Sequence, residues 1–314
     1  MGQDKATQSE YQGLGENRFE WYFLSPRYWL VWLWLGFLWT VTRLPLLWVR
    51  RLGAGIGYLF YRLEKKRRHY AQTNIRLCFP EKTPEEQEAI VRASFEGAGM
   101  GLLESGLVWW TSFEKLAPYF ELEGLDAVIE ARARGEKVLM VAIHNTCMEL
   151  GYTFMSHELP LNILFRLNNN PVWEYVARKG RERFKVGLVP RKQVKWFLHL
   201  LDEDVGLIAP DQDLGRKRSL FSPFFGIQTA TVPSVSDFAR QKNARVVLAY
   251  PWRTEKGFAV RVLPLLENYP TEDDQADTDL LNQMIEAAVR EHPGDYLWVH
   301  RRFKTRPEGE GSLY

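Results

Sequence analysis

Residues 138–150 constrain the fold of this chain more than any other segment. Residues 138–143 are all apolar, which is typical of a strand buried on both faces of a sheet. The polar residues His144, Asn145 and Thr146 follow, and the last two are types that favour a helix N-cap. The pattern therefore places His144 where a central strand ends and a helix begins. In open α/β sheets, ligands bind at that carboxyl edge.

Glu149 lies five residues after His144. On one continuous helix this spacing would separate the two side chains by roughly 140°, because each residue turns about 100°. If His144 instead precedes the helix, Glu149 can reach back, hold the imidazole in one tautomer and favour its protonated form. The two residues would then act as a general base, without a nucleophile of their own. The alternative is a structural histidine at a strand end.

Beyond residue 120, short apolar segments alternate with helical patterns. Strands are predicted over residues 120–124, 138–143, 161–166, 186–189, 205–209, 245–250 and 259–265. Helices are predicted over residues 125–134, 171–185, 192–201, 229–241 and 277–291. This alternation predicts an α/β fold with a mixed, largely parallel sheet flanked by helices.

The N-terminal part has a different composition. Residues 28–42 are uncharged and rich in tryptophan, and with Arg43 snorkelling the apolar segment extends to Val49, long enough to cross a bilayer. Because indole rings favour the headgroup boundary, we predict a membrane-anchoring helix over residues 25–50 rather than a buried core helix or a cleaved signal peptide. Whether this helix spans the membrane or lies in its interface stays open.

The flanking charges predict an orientation. Arginine and lysine are frequent between residues 50 and 68 and sparse before residue 28, so the C-terminal bulk is expected in the cytoplasm. The predicted organisation is a polar segment over 1–24, the anchor over 25–50 and a cytoplasmic-facing domain over 51–314. Within that domain, residues 51–120 are helical and membrane-associated, and residues 121–314 form the α/β catalytic part. The helical part includes one helix with Thr83 as its N-cap, predicted to run to about Ala98, and another over residues 99–110.

Bulk properties exclude several classes of function. The net charge of the 314 residues is only +2, so no overall field would attract nucleic acid. The two cysteines, Cys78 and Cys147, lie far apart in sequence, which argues against a disulfide framework and fits a reducing compartment. No histidine or cysteine spacing typical of a metal site is present.

Further polar clusters are candidates for ligand binding. One follows the strand predicted over 161–166, where an arginine can clamp a phosphate with two hydrogen bonds. A second cluster follows the strand predicted over 205–209. A third cluster, near the C-terminus, combines basic and aromatic residues and therefore suits a phosphorylated lipid. The alternatives are a surface arginine, a solvated loop and a basic tail. The candidate substrate-binding residues are Arg166, Asn169, Asp211, Asp213, Arg216, Arg301 and Arg302.

The His144-x4-Glu149 pair resembles the His-x4-Asp/Glu motif of the glycerolipid acyltransferase superfamily. The chain as a whole resembles the bacterial lipid A biosynthesis acyltransferases, specifically their lauroyltransferase branch. The matching stretches run from about residue 25 to the end of the chain. They are residues 26–30, 74–80, 99–104, 169–171, 210–215 and 298–309.

This resemblance implies an enzyme of the Gram-negative inner membrane with its catalytic domain on the cytoplasmic side. It would transfer a fatty acyl chain from acyl carrier protein to a 3-hydroxyacyl hydroxyl of the Kdo-bearing, tetraacylated lipid A precursor. Laurate is the favoured chain, with myristate and palmitoleate as alternatives. The resemblance implies no cofactor, no metal and no nucleic acid partner.

Carried over residue by residue, the resemblance makes His144 the base and Glu149 the residue that orients it. Arg166 falls on the arginine that the superfamily uses near phosphate. Asp211 and Asp213 fall in a block where the superfamily more often has Glu-Gly-Thr, so their role is less defined. Two other hypotheses stay open: a non-catalytic membrane protein that binds lipid, and a hydrolase that uses Cys147 as its nucleophile.

Overall fold

The computed structural model describes residues 17–184 and 186–314. Most of the polar segment predicted over 1–24, and the end of the helix predicted over 171–185, lie outside the described residues. The helices are α1 Trp29–Val41, α2 Leu46–Leu63, α3 Lys65–Cys78, α4 Pro84–Trp110, α5 Phe113–Leu116, α6 Asp126–Ala133, α7 Met148–Met155, α8 Pro171–Arg181, α9 Val194–Leu200, α10 Ser234–Lys242 and α11 Asp274–Glu291. The strands are β1 Phe120–Glu123, β2 Lys137–Val141, β3 Leu161–Phe165, β4 Val186–Pro190, β5 Val205–Ile208, β6 Leu220–Phe224, β7 Ile227–Thr231, β8 Ala244–Arg253 and β9 Phe258–Val262.

Seven of these strands form one sheet in the order β1-β9-β8-β2-β5-β3-β4. Neighbouring strands run parallel except β8 and β9, which are antiparallel. The predicted α/β fold with a mixed, largely parallel sheet is therefore confirmed. Strand β2 lies between β5 and β8, where Val141 is in register with Ile208 on one side and Leu248 on the other.

Residues 138–141 of β2 are buried on both faces of the sheet, as their unbroken apolar sequence predicts. Leu139 and Val141 belong to a core cluster that includes Phe197 of α9. The alternate residues Val138 and Met140 belong to a second cluster on the other face. Because successive strand residues point to opposite faces, this burial requires an apolar residue at every position.

The apolar N-terminal segment forms two helices, which corrects the prediction of one anchor helix over residues 25–50. Helix α1 has 13 residues and therefore a length of about 20 Å, less than the ~30 Å hydrocarbon core of a bilayer. Among the described residues, no helix is both long and apolar enough to cross a membrane. The reason for the break is Pro45, which caps α2 and disfavours helical geometry at the preceding residue, Leu44.

Helices α2 and α4 pack at very short range. A β-carbon on Gly57 would lie 2.2 Å from the carbonyl oxygen of Phe95, and one on Gly99 would lie 2.2 Å from that of Gly53. The sequence predicts two helices over residues 83–110, whereas α4 is a single helix of 27 residues. Its predicted N-cap is confirmed, because the backbone N–H of Glu86 donates to Thr83 Oγ1 at 3.3 Å.

A β-hairpin replaces the first part of the helix predicted over residues 229–241. Strands β6 and β7 pair antiparallel, and helix α10 starts only at Ser234. One reason is local, because Pro233 is disfavoured inside a helix, and a second reason is tertiary. Asn282 of α11 donates hydrogen bonds to Ser222 Oγ and to Thr231 Oγ1, at 2.9 and 3.2 Å, which ties both strands to that helix.

Candidate active site

His144 and Asp211 form a pair at the carboxyl edge of the sheet. The imidazole Nδ1 lies 2.6 Å from Asp211 Oδ1, and the backbone N–H of His144 donates to Asp211 Oδ2 at 3.0 Å. Each residue lies three positions beyond a strand end, Val141 of β2 or Ile208 of β5, and these two residues are in register. Parallel pairing therefore brings together two residues that are 67 positions apart in sequence.

The electrostatics of this pair suit a base. Burial opposes protonation of His144, but the Asp211 carboxylate outweighs it and raises the pKa of His144. Burial also favours the neutral form of Asp211, yet the contact with His144 holds the pKa of the Asp211 carboxyl below its usual value. The carboxylate is 1% exposed, whereas 25% of the imidazole is exposed. Because Nδ1 faces Asp211, Nε2 is the ring nitrogen available to exchange a proton with a substrate.

Glu149 occupies a different position from the one predicted. Its two carboxylate oxygens accept hydrogen bonds from Arg181, from Nε at 2.8 Å and from Nη2 at 2.7 Å. The indole N–H of Trp109 donates to Glu149 Oε1 at 3.3 Å. The predicted contact of Glu149 with His144 is corrected accordingly. In this structure Asp211, for which the resemblance defined no clear role, is the carboxylate that orients the imidazole.

A cavity of about 210 Å³ adjoins Glu149. Its walls include the paired side chains of Glu149 and Arg181 together with the ring of Trp173. Arg166, which follows the last residue of β3, also lines this cavity and is exposed. Asn169 lies three residues further on in the exposed loop that leads into α8. Two carboxylates, Glu149 and Glu174, also line the cavity, and Arg181 is already paired with Glu149. Arg166 is therefore the cation of this lining that suits an anionic part of a substrate.

The loop after His144 is held by a buried ionic network. Arg253 donates to Thr146 through Nη1 to Oγ1, at 2.6 Å, and through Nη2 to the carbonyl oxygen, at 2.8 Å. The same guanidinium contacts Glu104 and Asp295, at 2.7 and 2.8 Å. Glu104 is fully buried and also accepts from Arg50 Nε at 3.4 Å. No sequence pattern predicted a role for Glu104 or Arg253. The one available signal is that the matched stretch 99–104 ends at Glu104.

Two of the predicted substrate-binding residues are buried and hold the C-terminal segment. Asp213 accepts hydrogen bonds from Thr305, from its backbone N–H at 2.6 Å and from its hydroxyl at 2.9 Å. Arg302 is 1% exposed and donates to the carbonyl oxygen of Ala230 and to Thr231 Oγ1, at 3.0 and 2.9 Å. We therefore correct the role of Asp213 and Arg302 from substrate binding to anchoring of this segment.

Arg216 and Arg301 are exposed, so they stay available for a ligand. Arg216 donates to the carbonyl oxygen of Arg306 at 2.6 Å. The guanidinium of Arg301 lies 5.1 Å from the ring centroid of Tyr70. The contact of these two residues with substrate stays a prediction.

Cys147 is a poor nucleophile in this environment. The side chain is 1% exposed, and burial raises the pKa of its thiol. A nucleophilic cysteine needs a lowered pKa and access to the substrate. The structure therefore disfavours the hypothesis of a hydrolase that uses Cys147.

The fold and the pair at the sheet edge define an α/β enzyme site built for proton transfer. Comparison with known sequences identifies the class. The model of the family described as "Bacterial lipid A biosynthesis acyltransferase" matches residues 16–305. The chain belongs to this family, which confirms the predicted resemblance.

Individual relatives cover almost the whole chain. The lipid A biosynthesis palmitoleoyltransferase of Escherichia coli (strain K12) is 36% identical over 296 residues, 93% of this chain and 96% of that protein. The lauroyltransferase of the same organism is 36% identical over 295 residues, again 93% and 96%. Its myristoyltransferase is 30% identical over 297 residues, 93% and 92%. The names of these relatives state three different acyl groups, and the first two are equally similar to this chain.

Proposed function

We propose that the protein transfers a fatty acyl chain from acyl carrier protein to a 3-hydroxyacyl hydroxyl of the Kdo-bearing, tetraacylated lipid A precursor. Membership of the family supports acyl transfer in lipid A biosynthesis. The observation that carries the mechanism is the contact between His144 Nδ1 and Asp211, at 2.6 Å, in a site that leaves Nε2 for the acceptor hydroxyl. Laurate is the favoured chain, with myristate and palmitoleate as alternatives.

The reaction begins when His144 Nε2 takes the proton of the acceptor hydroxyl. The alcohol oxygen attacks the thioester carbonyl, and Asp211 stabilises the imidazolium that forms. The tetrahedral intermediate collapses, the carbon–sulfur bond breaks, and the imidazolium returns its proton to the leaving thiolate. The ester and the free thiol of the carrier are the products. The direct transfer needs no covalent acyl-enzyme, and His144 ends the cycle neutral.

Glu149 and Arg181 have a positioning role in this proposal. Their two parallel hydrogen bonds form an ion pair that fixes both side chains in the wall of the cavity. Arg166, exposed at the same cavity, is the residue that we assign to a phosphate of the substrate. Loss of Glu149 would free Arg181 and leave its charge without its partner, so both substrate placement and rate should suffer.

We also propose that the protein acts at the inner membrane with its catalytic domain on the cytoplasmic side. Residues 21–63 expose many large apolar side chains, and arginines lie among them. A monotopic attachment by such a surface needs no spanning helix, because aromatic and cationic side chains suit the interface and anionic headgroups. The exposed side chains of this surface include Trp21, Trp29, Leu30, Leu33, Leu47 and Trp48.

Acyl transfer by the purified protein tests the proposed function. Lauroyl-, myristoyl- and palmitoleoyl-acyl carrier protein are each offered with the tetraacylated precursor, and His144→Ala is assayed in parallel. We expect transfer by the wild type and a loss of about 10²–10⁴-fold in His144→Ala, the contribution of a positioned base. If His144→Ala stays nearly as active, the mechanism is wrong. If no donor reacts while the precursor binds, a non-catalytic lipid-binding protein becomes the better proposal.

A further inference from the structure

A second cavity lies apart from the one beside Glu149, between the turn that joins α1 to α2 and the C-terminal end of α4. Its volume is about 580 Å³. Three cationic side chains line it: Arg43 of the turn, Lys115 of α5 and Arg183, which follows α8. We call this cavity the cationic pocket. Cations from three separate parts of the chain converge on it, which is the arrangement that an anion site requires.

No carboxylate neutralises these cations within the described part of the chain. None of the described residues that line the cationic pocket is acidic, and Arg43, Lys115 and Arg183 form no ion pair with a described carboxylate. Arg43 lies over the ring of Trp39, 4.5 Å from its centroid. Arg183 Nη1 donates to a backbone carbonyl, that of Trp109, at 2.8 Å. Each contact holds one guanidinium in place without bringing a carboxylate into hydrogen-bonding contact with it.

Helix α5, which carries Lys115, also contains an acidic residue, Glu114, but its carboxylate bonds within the helix start. Glu114 accepts hydrogen bonds from its own backbone N–H and from the hydroxyl of Ser112, which lower the pKa of its carboxyl. Glu114 feels the charge of Arg183 but does not line the cationic pocket. The remaining polar lining consists of four hydroxyl groups, those of Thr42, Thr111, Ser112 and Tyr119. Thr42 donates to the carbonyl oxygen of Trp39 and Ser112 to Glu114, whereas the hydroxyls of Thr111 and Tyr119 can donate to an anionic oxygen.

The surface beside the cationic pocket is apolar. Leu44 lines the pocket and is 42% exposed, and Leu47 and Trp48 on the first turn of α2 are also exposed. An inorganic anion would use only the cations. A ligand with a phosphate and a hydrocarbon chain would use both the cations and these apolar side chains.

We propose that the cationic pocket binds the phosphate group of an anionic lipid, whose hydrocarbon chains lie against Leu44, Leu47 and Trp48. The pocket connects to the candidate active site through two adjacent residues of α4. Trp110 lines the pocket, and the ring of Trp109, which bonds to Glu149, lies 5.5 Å from that of Trp110. The lipid is either a membrane phospholipid or the acceptor itself, since both carry phosphate.

The test measures binding of a short-chain phosphatidic acid to the full-length protein in a neutral detergent by isothermal titration. The double variant Arg43→Gln/Lys115→Gln removes two of the three cations. Lys192→Gln removes one exposed cation from a different loop and serves as the control. Each cation should contribute about tenfold or more to the affinity, the usual range for a charge-assisted hydrogen bond. We expect the double variant to bind at least 100-fold more weakly and Lys192→Gln to bind like the wild type.

Two further ligands separate the lipid from its parts. Diacylglycerol of the same chain length lacks the phosphate, and inorganic phosphate lacks the chains; both should bind far more weakly than phosphatidic acid. Equal binding of diacylglycerol, equal binding of inorganic phosphate, or unchanged binding by the double variant would each overturn the proposal. Near-UV circular dichroism of the double variant verifies its fold, and a single Lys115→Gln variant replaces it if the fold is lost.

The source of the lipid follows from acyl-transfer kinetics in the same variants. If the acceptor supplies the phosphate, the KM for the acceptor rises in the double variant. If a membrane phospholipid supplies it, that KM is unchanged in detergent and co-flotation with anionic vesicles falls. The binding measurements need no turnover, so a failure of the lipid-binding proposal can be distinguished from a failure of the proposed acyl transfer.

Discussion

Replacement of Asp211 by asparagine tests whether this carboxylate is the partner of the catalytic base. The amide has the shape of the carboxylate, and its oxygen can still accept from the backbone N–H of His144. Its NH₂ group would then donate to Nδ1, which moves the imidazole proton to Nε2. His144 in that tautomer cannot take a proton from the acceptor hydroxyl. We expect kcat/KM to fall by about 10³–10⁴-fold, or about 4–5.5 kcal/mol of transition-state stabilisation.

The same variant should change the pH profile. His144 must be neutral to act as a base, so activity falls as the pH drops through its pKa. Asp211 raises that pKa in the wild type, and its loss lowers it. The acidic limb of the kcat/KM profile should therefore move to lower pH in Asp211→Asn, even though the activity at the plateau is much lower. The assay is acyl transfer from acyl carrier protein, measured between about pH 5 and pH 9, around the ordinary pKa of histidine.

Asp213→Asn is the matched control for this experiment. Asp213 lies two residues from Asp211 and is equally buried, but its carboxylate contacts Thr305 rather than His144. We expect a lower unfolding temperature for Asp213→Asn with the acidic limb of the pH profile unmoved. Wild-type activity and an unshifted limb in Asp211→Asn would refute the reasoning about this pair.

Four other substitutions have distinct expected outcomes. Cys147→Ala should retain nearly full acyl-transfer activity, because the thiol is buried. Complete loss of activity in this variant would instead favour the hypothesis of a hydrolase that uses Cys147. Gly101→Ala should lower the unfolding free energy by about 1–3 kcal/mol in chemical denaturation, because its β-carbon would lie 1.9 Å from the carbonyl oxygen of Thr146. Gly36→Ala, where a β-carbon meets nothing within 4 Å, should instead stabilise its helix by about 0.5–1 kcal/mol, and an equal loss in both would contradict the packing argument. Arg253→Lys keeps the charge but not the forked contacts, so kcat should fall more than KM changes, with a loss of stability seen in thermal unfolding.

Short-range signals in the sequence predicted the elements that depend on local chemistry. The N-cap at Thr83 is an example, because its hydrogen bond joins residues three positions apart. Helix α1 shows the limit of such signals. The apolar segment continues past residue 42, but Pro45 ends the helical geometry before it. A length estimate from the number of apolar residues alone therefore overestimates the helix.

The hairpin β6–β7 depends on both local and distant residues. Thr229 and Thr231 are β-branched, and Pro233 is disfavoured inside a helix, so the local sequence already favours a helix start after Pro233. The pairing of β6 with β7 is held by Asn282 of α11, which bonds to Ser222 and Thr231 and lies more than fifty residues away from either partner.

The sequence by itself determined the family, the α/β class and the position of His144 at the end of a buried strand. Each follows from runs of residues that are contiguous or spaced along one element. Only the tertiary structure decided which carboxylate meets the imidazole. Glu149, five residues away, faces Arg181, whereas Asp211 reaches His144 because β2 and β5 are parallel neighbours with Val141 in register with Ile208. Strand order and register arise from the packing of the whole sheet, and no local pattern encodes them.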